Sequence, residues 1–194
     1  VNAHSRRLQG LEALLRWTSP TRGKVSPGTF IPVAEESGHI IPLGYWVLNE
    51  VCSTIKSWQE KGLTVVPVSV NVSARQFQKS DFADRVAATL EMTVMRAQGL
   101  KLEVTESMLI DASGRVERTL ARLNEIGVRL ALDDFGTGYS SLAYLKRLPV
   151  ETIKLDRSFV RDLSASEDAR SIAQSAIAMV HALRKRIVAE GVET

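Results

Sequence analysis

The chain has 194 residues, 44% hydrophobic and 24% charged, with 25 basic against 22 acidic side chains. A net charge of +3 is too small to point to a DNA or RNA polymer as partner, and no apolar run reaches the length of a membrane span. The single cysteine, Cys52, excludes an intrachain disulfide and suits a reducing cytoplasm; three scattered histidines give no zinc-type spacing, so a metal site would rest on oxygen ligands.

In chain order, Leu8 to Trp17 reads as a buried strand on which Glu12, Leu14 and Arg16 share one face. Thr18 to Gly28 holds two prolines and two glycines and reads as a loop; Pro32 reads as the start of a short helix through Glu36, closed by Gly38. Ile40 to Lys61 is the clearest helix, with Leu43, Trp46, Val47, Val51, Ile55 and Trp58 at helical spacing and Gly62 as its stop. Cys52 lies beside that stripe and reads as packing. Val65 to Ser73 alternates, with Val66, Val68, Val70 and Val72 on one face and Ser69 and Asn71 on the other. Asp81 to Leu90 is a helix that buries Phe82, Val86 and Leu90, and Leu100 to Thr105 is a strand running into Glu106. Val116, Leu120 and Leu123 mark a helix closed near Gly127.

The apolar run Leu130-Ala131-Leu132 then enters two adjacent carboxylates, Asp133 and Asp134. The glycine-rich turn Phe135 to Tyr139 follows, and then Ser140-Ser141. Leu142, Leu145 and Leu148 mark a short helix, and Thr152 to Asp156 is a strand. Ile172, Ala176, Met179 and Leu183 line a long helix, and Arg186 to Val192 is the last strand, with Glu193 after it.

Strand and helix alternate throughout, the pattern of a parallel α/β sheet. Polar groups recur at one strand end after another: Asn71, Glu103 and Glu106, Asp133 and Asp134, Lys154 and Asp156, Glu190 and Glu193. A doubly wound sheet concentrates function at one switch point, whereas a (β/α)8 barrel gathers it from many strand ends, so the distribution favours a TIM-like barrel.

Singly, each residue has a structural explanation: an ion pair for Glu12 or Glu190, a core amide for Asn71, mutual partners for Lys154 and Asp156, a helix cap for Asp133-Asp134. Together they suit chemistry. Glu12, Asn71, Glu103 and Asp133 make a hard oxygen cage for Mg²⁺ or Mn²⁺. Asp133, Asp134 and Glu190 allow a second ion, and two such ions ~4 Å apart can activate a water for in-line phosphoryl displacement. An ammonium at Lys154 favours the hydroxide form of that water, Arg16 is a fork donor for a phosphate, and Glu106 and Glu193 lie farther out and brace loops.

The segments Glu12-Ala13-Leu14-Leu15-Arg16-Trp17, Asn71-Val72-Ser73-Ala74-Arg75-Gln76, Glu103-Val104-Thr105-Glu106, Asp133 to Ser141, Ile153-Lys154-Leu155-Asp156 and Glu190-Gly191-Val192-Glu193-Thr194 resemble, in order, the motifs of EAL domains, cyclic di-GMP phosphodiesterases. The resemblance implies hydrolysis of cyclic di-GMP to linear pGpG with two Mg²⁺ or Mn²⁺ ions, Ca²⁺ being inhibitory. It implies Glu12, Asn71, Glu103 and Asp133 on one ion and Asp133, Asp134 and Glu190 on the other. Lys154 would hold the attacking water and Glu190 act as general base; Arg16 would contact the substrate phosphate and Glu106 anchor the Asp133–Ser141 loop. It further implies a homodimer through the region near that loop, flanking regulatory domains, and a cytoplasmic domain whose parent is tethered to the inner membrane by other segments. Six strands are legible where the family barrel has eight. The first strand with its Tyr-Gln-Pro-like segment and the last helix and strand are not among these residues, so the chain reads as a fragment with weak or no turnover of its own. The alternative from another class is a catalytically inactive cyclic di-GMP receptor or protein-interaction module.

Overall fold

The computed structural model describes residues 1–109, 114–136, 142–163 and 166–192. Its elements run β1 (Leu11–Ala13), β2 (Trp17–Ser19), β3 (Gly23–Val25), α1 (Pro27–Glu36), α2 (Ile40–Glu60), β4 (Val68–Asn71), α3 (Ala74–Phe77), α4 (Phe82–Met92) and β5 (Leu100–Thr105). They continue with α5 (Arg115–Ile126), β6 (Arg129–Phe135), α6 (Leu142–Arg147), β7 (Thr152–Leu155), α7 (Ser158–Arg161), α8 (Glu167–Ala182) and β8 (Arg186–Ala189). Six strands form one parallel sheet in the order β1-β4-β5-β6-β7-β8. It is a curled, incomplete TIM-like (β/α)8 barrel, as the strand-end pattern led us to expect.

Alternation along each strand separates two environments. Val68, Val70, Leu100, Leu102, Val104, Leu130, Leu132, Ile153 and Leu155 point outward and join the helices in one core with Leu48, Cys52 and Ile55 of α2, Phe82 and Val86 of α4, and Leu120 and Leu123 of α5. Ser69, Glu103, Asp133 and Lys154 have the opposite parity and are buried on the concave side. Within the helices, Gly127 ends α5 at φ +88, where its amide donates to the Asn124 carbonyl. Other residues cross that conformation only with strain.

Register explains how residues from separate strands reach one level. Glu12 pairs with Ser69, two residues before Asn71; Asn71 pairs with Glu103; Glu103 pairs with Ala131, two before Asp133. Ala131 pairs with Thr152, so Asp133 and Lys154 stand level, and Lys154 pairs with Val188, two before Glu190. The site residues thus climb by six residues over five pairings, always in even steps that preserve the face. At ~3.3 Å per residue and ~4.8 Å per strand this is a tilt of about 40°, the tilt a closed barrel requires.

The N-terminal third departs from expectation. Of the long predicted first strand, only Leu11–Ala13 joins the parallel sheet, on one side only among the described residues, while Trp17 opens the separate strand β2; Leu11, Leu14 and Trp17 are exposed. The stretch expected as a loop holds an antiparallel hairpin, β2 with β3, whose turn is tied by the Ser19 hydroxyl accepting from the Thr21 and Arg22 amides at 3.3 Å each. The first helix starts at Pro27 rather than Pro32, with extended Ser26 as its N-cap and proline suited to the first position; Pro32 lies inside it. Two predicted stripe members, Trp46 and Ile172, face solvent; α8 turns Ala173 and Val180 inward instead.

Candidate active site

At the carboxyl ends of the strands the Lys154 ammonium sits among four carboxylates. Its Nζ lies 2.5 Å from Glu103, 2.6 Å from Glu190, 3.2 Å from Asp133 and 3.9 Å from Glu12. Contact between Lys154 on β7 and Glu12 on β1 requires the curl, because four strand spacings of a flat sheet would separate them by roughly 19 Å. Asn71 Nδ2 donates to Glu12 Oε1 at 2.7 Å, which leaves its carbonyl oxygen as the atom that would meet a cation.

A bulge in β6 brings both aspartates to the mouth. Leu132 pairs with Ile153 and Phe135 with Leu155, so Asp133 and Asp134 together stand opposite Lys154 alone. Asp134 takes a left-handed conformation (φ +53), which aspartate tolerates better than most residues, and its amide donates to Asp133 Oδ1 at 3.0 Å. In a regular strand neighbours face opposite ways; here oxygens of Asp133, Asp134 and Glu190 all lie within 4.8 Å of one another.

Charge is out of balance at this mouth. Burial pushes the Glu103 carboxyl up, against hydrogen bonds from Lys154 and Ser69. Burial also pushes up Glu190, opposed by Lys154, and Asp134, aided by Asp133 and Asp156. For Lys154, burial disfavours the ammonium, but Glu103, Glu190 and Asp133 together outweigh it and hold its pKa above the ordinary lysine range. One ammonium faces five carboxylates. A hard, anionic oxygen set left with that excess fits a divalent cation.

Of the sequence-predicted residues, Glu12, Asn71, Glu103, Asp133, Asp134, Lys154 and Glu190 converge. Glu106 is buried just outside and accepts from the Gly136 amide at 3.3 Å. Arg16 does not extend the face of Glu12, because β1 ends at Ala13; its guanidinium donates to the Leu15 carbonyl at 2.8 Å. It lines a cavity of about 220 Å³ beside Asn71. Glu193 and residues 137–141 of the predicted loop, with the dimer contact expected near it, lie outside the described residues. Sequence reasoning passed over Ser69, which touches Glu103; its parity with Asn71 was the available signal.

The motif order and this geometry coincide with a known family, since the EAL domain profile matches residues 1–194. The chain belongs to the EAL domain family. This EAL domain is 46% identical over 184 residues to the cyclic di-GMP phosphodiesterase NbdA of Pseudomonas aeruginosa, covering 95% of the chain and 24% of that protein. It is 42% identical over 187 residues to the signaling protein YkoW of Bacillus subtilis, covering 96% and 23%. The chain therefore spans about a quarter of the length of these relatives. Among solved structures, the PaMucR phosphodiesterase in its c-di-GMP complex superposes with a TM-score of 0.92 at 41% identity, covering 97% of this chain and 76% of that one. Among the described residues, no helix of this EAL domain is long and apolar enough to cross a membrane.

Proposed function

We propose that the protein hydrolyses cyclic di-GMP to linear pGpG with divalent ions bound at the mouth of the barrel. The observation that carries this reading is the convergence of five carboxylates from four strand ends around one lysine, four of them within 3.9 Å of its ammonium, in a chain 46% identical to a cyclic di-GMP phosphodiesterase. Glu12, Asn71, Glu103 and Asp133 would hold one Mg²⁺ or Mn²⁺, and Asp133, Asp134 and Glu190 a second. When bound, these ions supply Lewis acidity that eases deprotonation of the attacking water and neutralises charge on the phosphodiester.

The chain's own groups do the rest. Lys154, held protonated, donates hydrogen bonds that orient the water in line with the scissile phosphorus. Glu190, whose raised pKa makes it a better base than an exposed carboxylate, takes the water's proton. The P–O3′ bond breaks as the new P–O bond forms, and the proton returns through solvent to the departing 3′ oxygen, which leaves a 5′-phosphate. Arg16 swings from the Leu15 carbonyl to a non-bridging phosphate oxygen. Glu106 steadies the Gly136 backbone, and Glu193 would serve as a second loop anchor. The reading extends to a cytoplasmic domain flanked by regulatory domains and paired with a second copy near the Asp133–Ser141 loop.

Incubating the protein within its full-length parent with cyclic di-GMP, with and without Mg²⁺, and separating the products tests the reading. Metal-dependent pGpG is expected, Ca²⁺ suppresses it, and Glu12→Ala and Asp133→Ala abolish it. Stoichiometric binding without linear product would make the domain a receptor and overturn the enzyme.

A further inference from the structure

Behind the carboxylates, the turn after β7 packs against both neighbouring chain segments. Asp156 Oδ1 accepts from the Ser158 amide at 2.9 Å and the Asp156 carbonyl from the Phe159 amide at 3.0 Å, which starts α7 and folds it back. The Phe159 ring then lies over Gly136, where an added Cβ would overlap the ring's Cε2 and Cζ. On the other flank, a Cβ at Gly191 would lie 2.9 Å from the Arg157 Cβ. Both glycines have positive φ, +101 and +67, so shape and backbone conformation require glycine at each. Gly136 follows Asp134 by two residues and Gly191 follows Glu190 directly. One short turn therefore touches the segments that carry all three carboxylates of the close triad.

We propose that α7 is a wedge that sets the spacing of Asp133, Asp134 and Glu190, with Phe159 as a positioning residue of the divalent-ion site; the proposal rests on the metal-binding reading of that triad. The triad needs such support because its members repel one another and Asp134 sits in a bulge. Gly136, the link beyond it, has the most permissive backbone of any residue type. Glu106 holds the Gly136 amide, and Phe159 blocks the Cα. Without the ring, the peptides between Asp134 and Gly136 gain freedom and the donor oxygens spread. Outer partners of metal ligands are typically worth 10–100-fold in affinity.

Amide hydrogen exchange of the metal-free protein and Mn²⁺ binding by calorimetry test this in Phe159→Ala and Phe159→Leu. Phe159→Ala is expected to speed exchange at Gly136 about tenfold or more and to weaken Mn²⁺ binding about tenfold. The Leu132 and Ile153 amides should keep wild-type protection, and Phe159→Leu should recover part of both losses. Wild-type protection at Gly136 together with wild-type Mn²⁺ affinity in either folded variant would overturn the wedge. If Phe159→Ala does not fold, Phe159→Leu carries the comparison. Failure of the unaltered protein to bind Mn²⁺ would instead overturn the metal reading, while exchange at Gly136 still decides whether Phe159 holds that segment.

Discussion

Lys154 sets the electrostatics of the mouth, since its ammonium is the cation shared by Glu12, Glu103, Asp133 and Glu190. Removing one partner of a buried ion pair leaves the other uncompensated, commonly at about 3–5 kcal/mol. Lys154→Met keeps most of the volume and discards the charge, so the metal-free protein should lose stability of that order, with Mg²⁺ restoring part of it. A urea midpoint equal to wild type would show that the ammonium does not hold the cluster together. Cys52 illustrates the opposite environment. It is fully buried among apolar side chains, and burial pushes its thiol up to about 11. The folded protein holds that proton to higher pH than the unfolded chain, so stability falls as pH rises from the ordinary thiol range toward 11. At pH 8 the native thiol should be inert to a disulfide reagent and react only on unfolding; rapid labelling of folded protein would contradict this burial.

At the scale of elements, local chemistry and long-range packing divide the work. The strand β5 and the helix α5 with its Gly127 stop were legible because period and cap are written in neighbouring residues. The hairpin β2–β3 was not, because Pro20 and Gly23 mark a turn without saying whether the flanking residues pair. Helix α4 shows how packing then fixes an element. Phe82 is fully buried, with its ring 5.8 Å from that of Phe77 and 6.4 Å from that of Tyr45. Phe82→Ala should destabilise the fold by about 3–5 kcal/mol in chemical denaturation. A loss below about 1 kcal/mol would mean that α2 and α3 collapse into the space. The bulge in β6 belongs here too: two adjacent aspartates announce charge at a strand end, but only pairing with β7 shows that both occupy one place in the ladder.

For the whole molecule, curl and open edges matter most. Among the described residues, β1 and β8 each pair on one side only, with Leu11 and Val188 exposed on them. Exposed edges with apolar side chains template further pairing. The chain of these 194 residues should therefore associate as its concentration rises, seen as an increasing weight-average sedimentation coefficient. A concentration-independent monomer would show that the edges are protected. The sequence by itself determined which residue types stand at the strand ends and that they share parity, since side-chain chemistry and a two-residue period are local properties. It also carried the ordered motifs by which the family is known. Tertiary structure alone decided that Glu12 and Lys154 meet across the curl, that Arg16 turns to its own backbone, and that Phe159 comes to rest on Gly136. Those outcomes depend on stagger summed over six paired strands and on contacts between residues far apart in the chain, which no local pattern encodes.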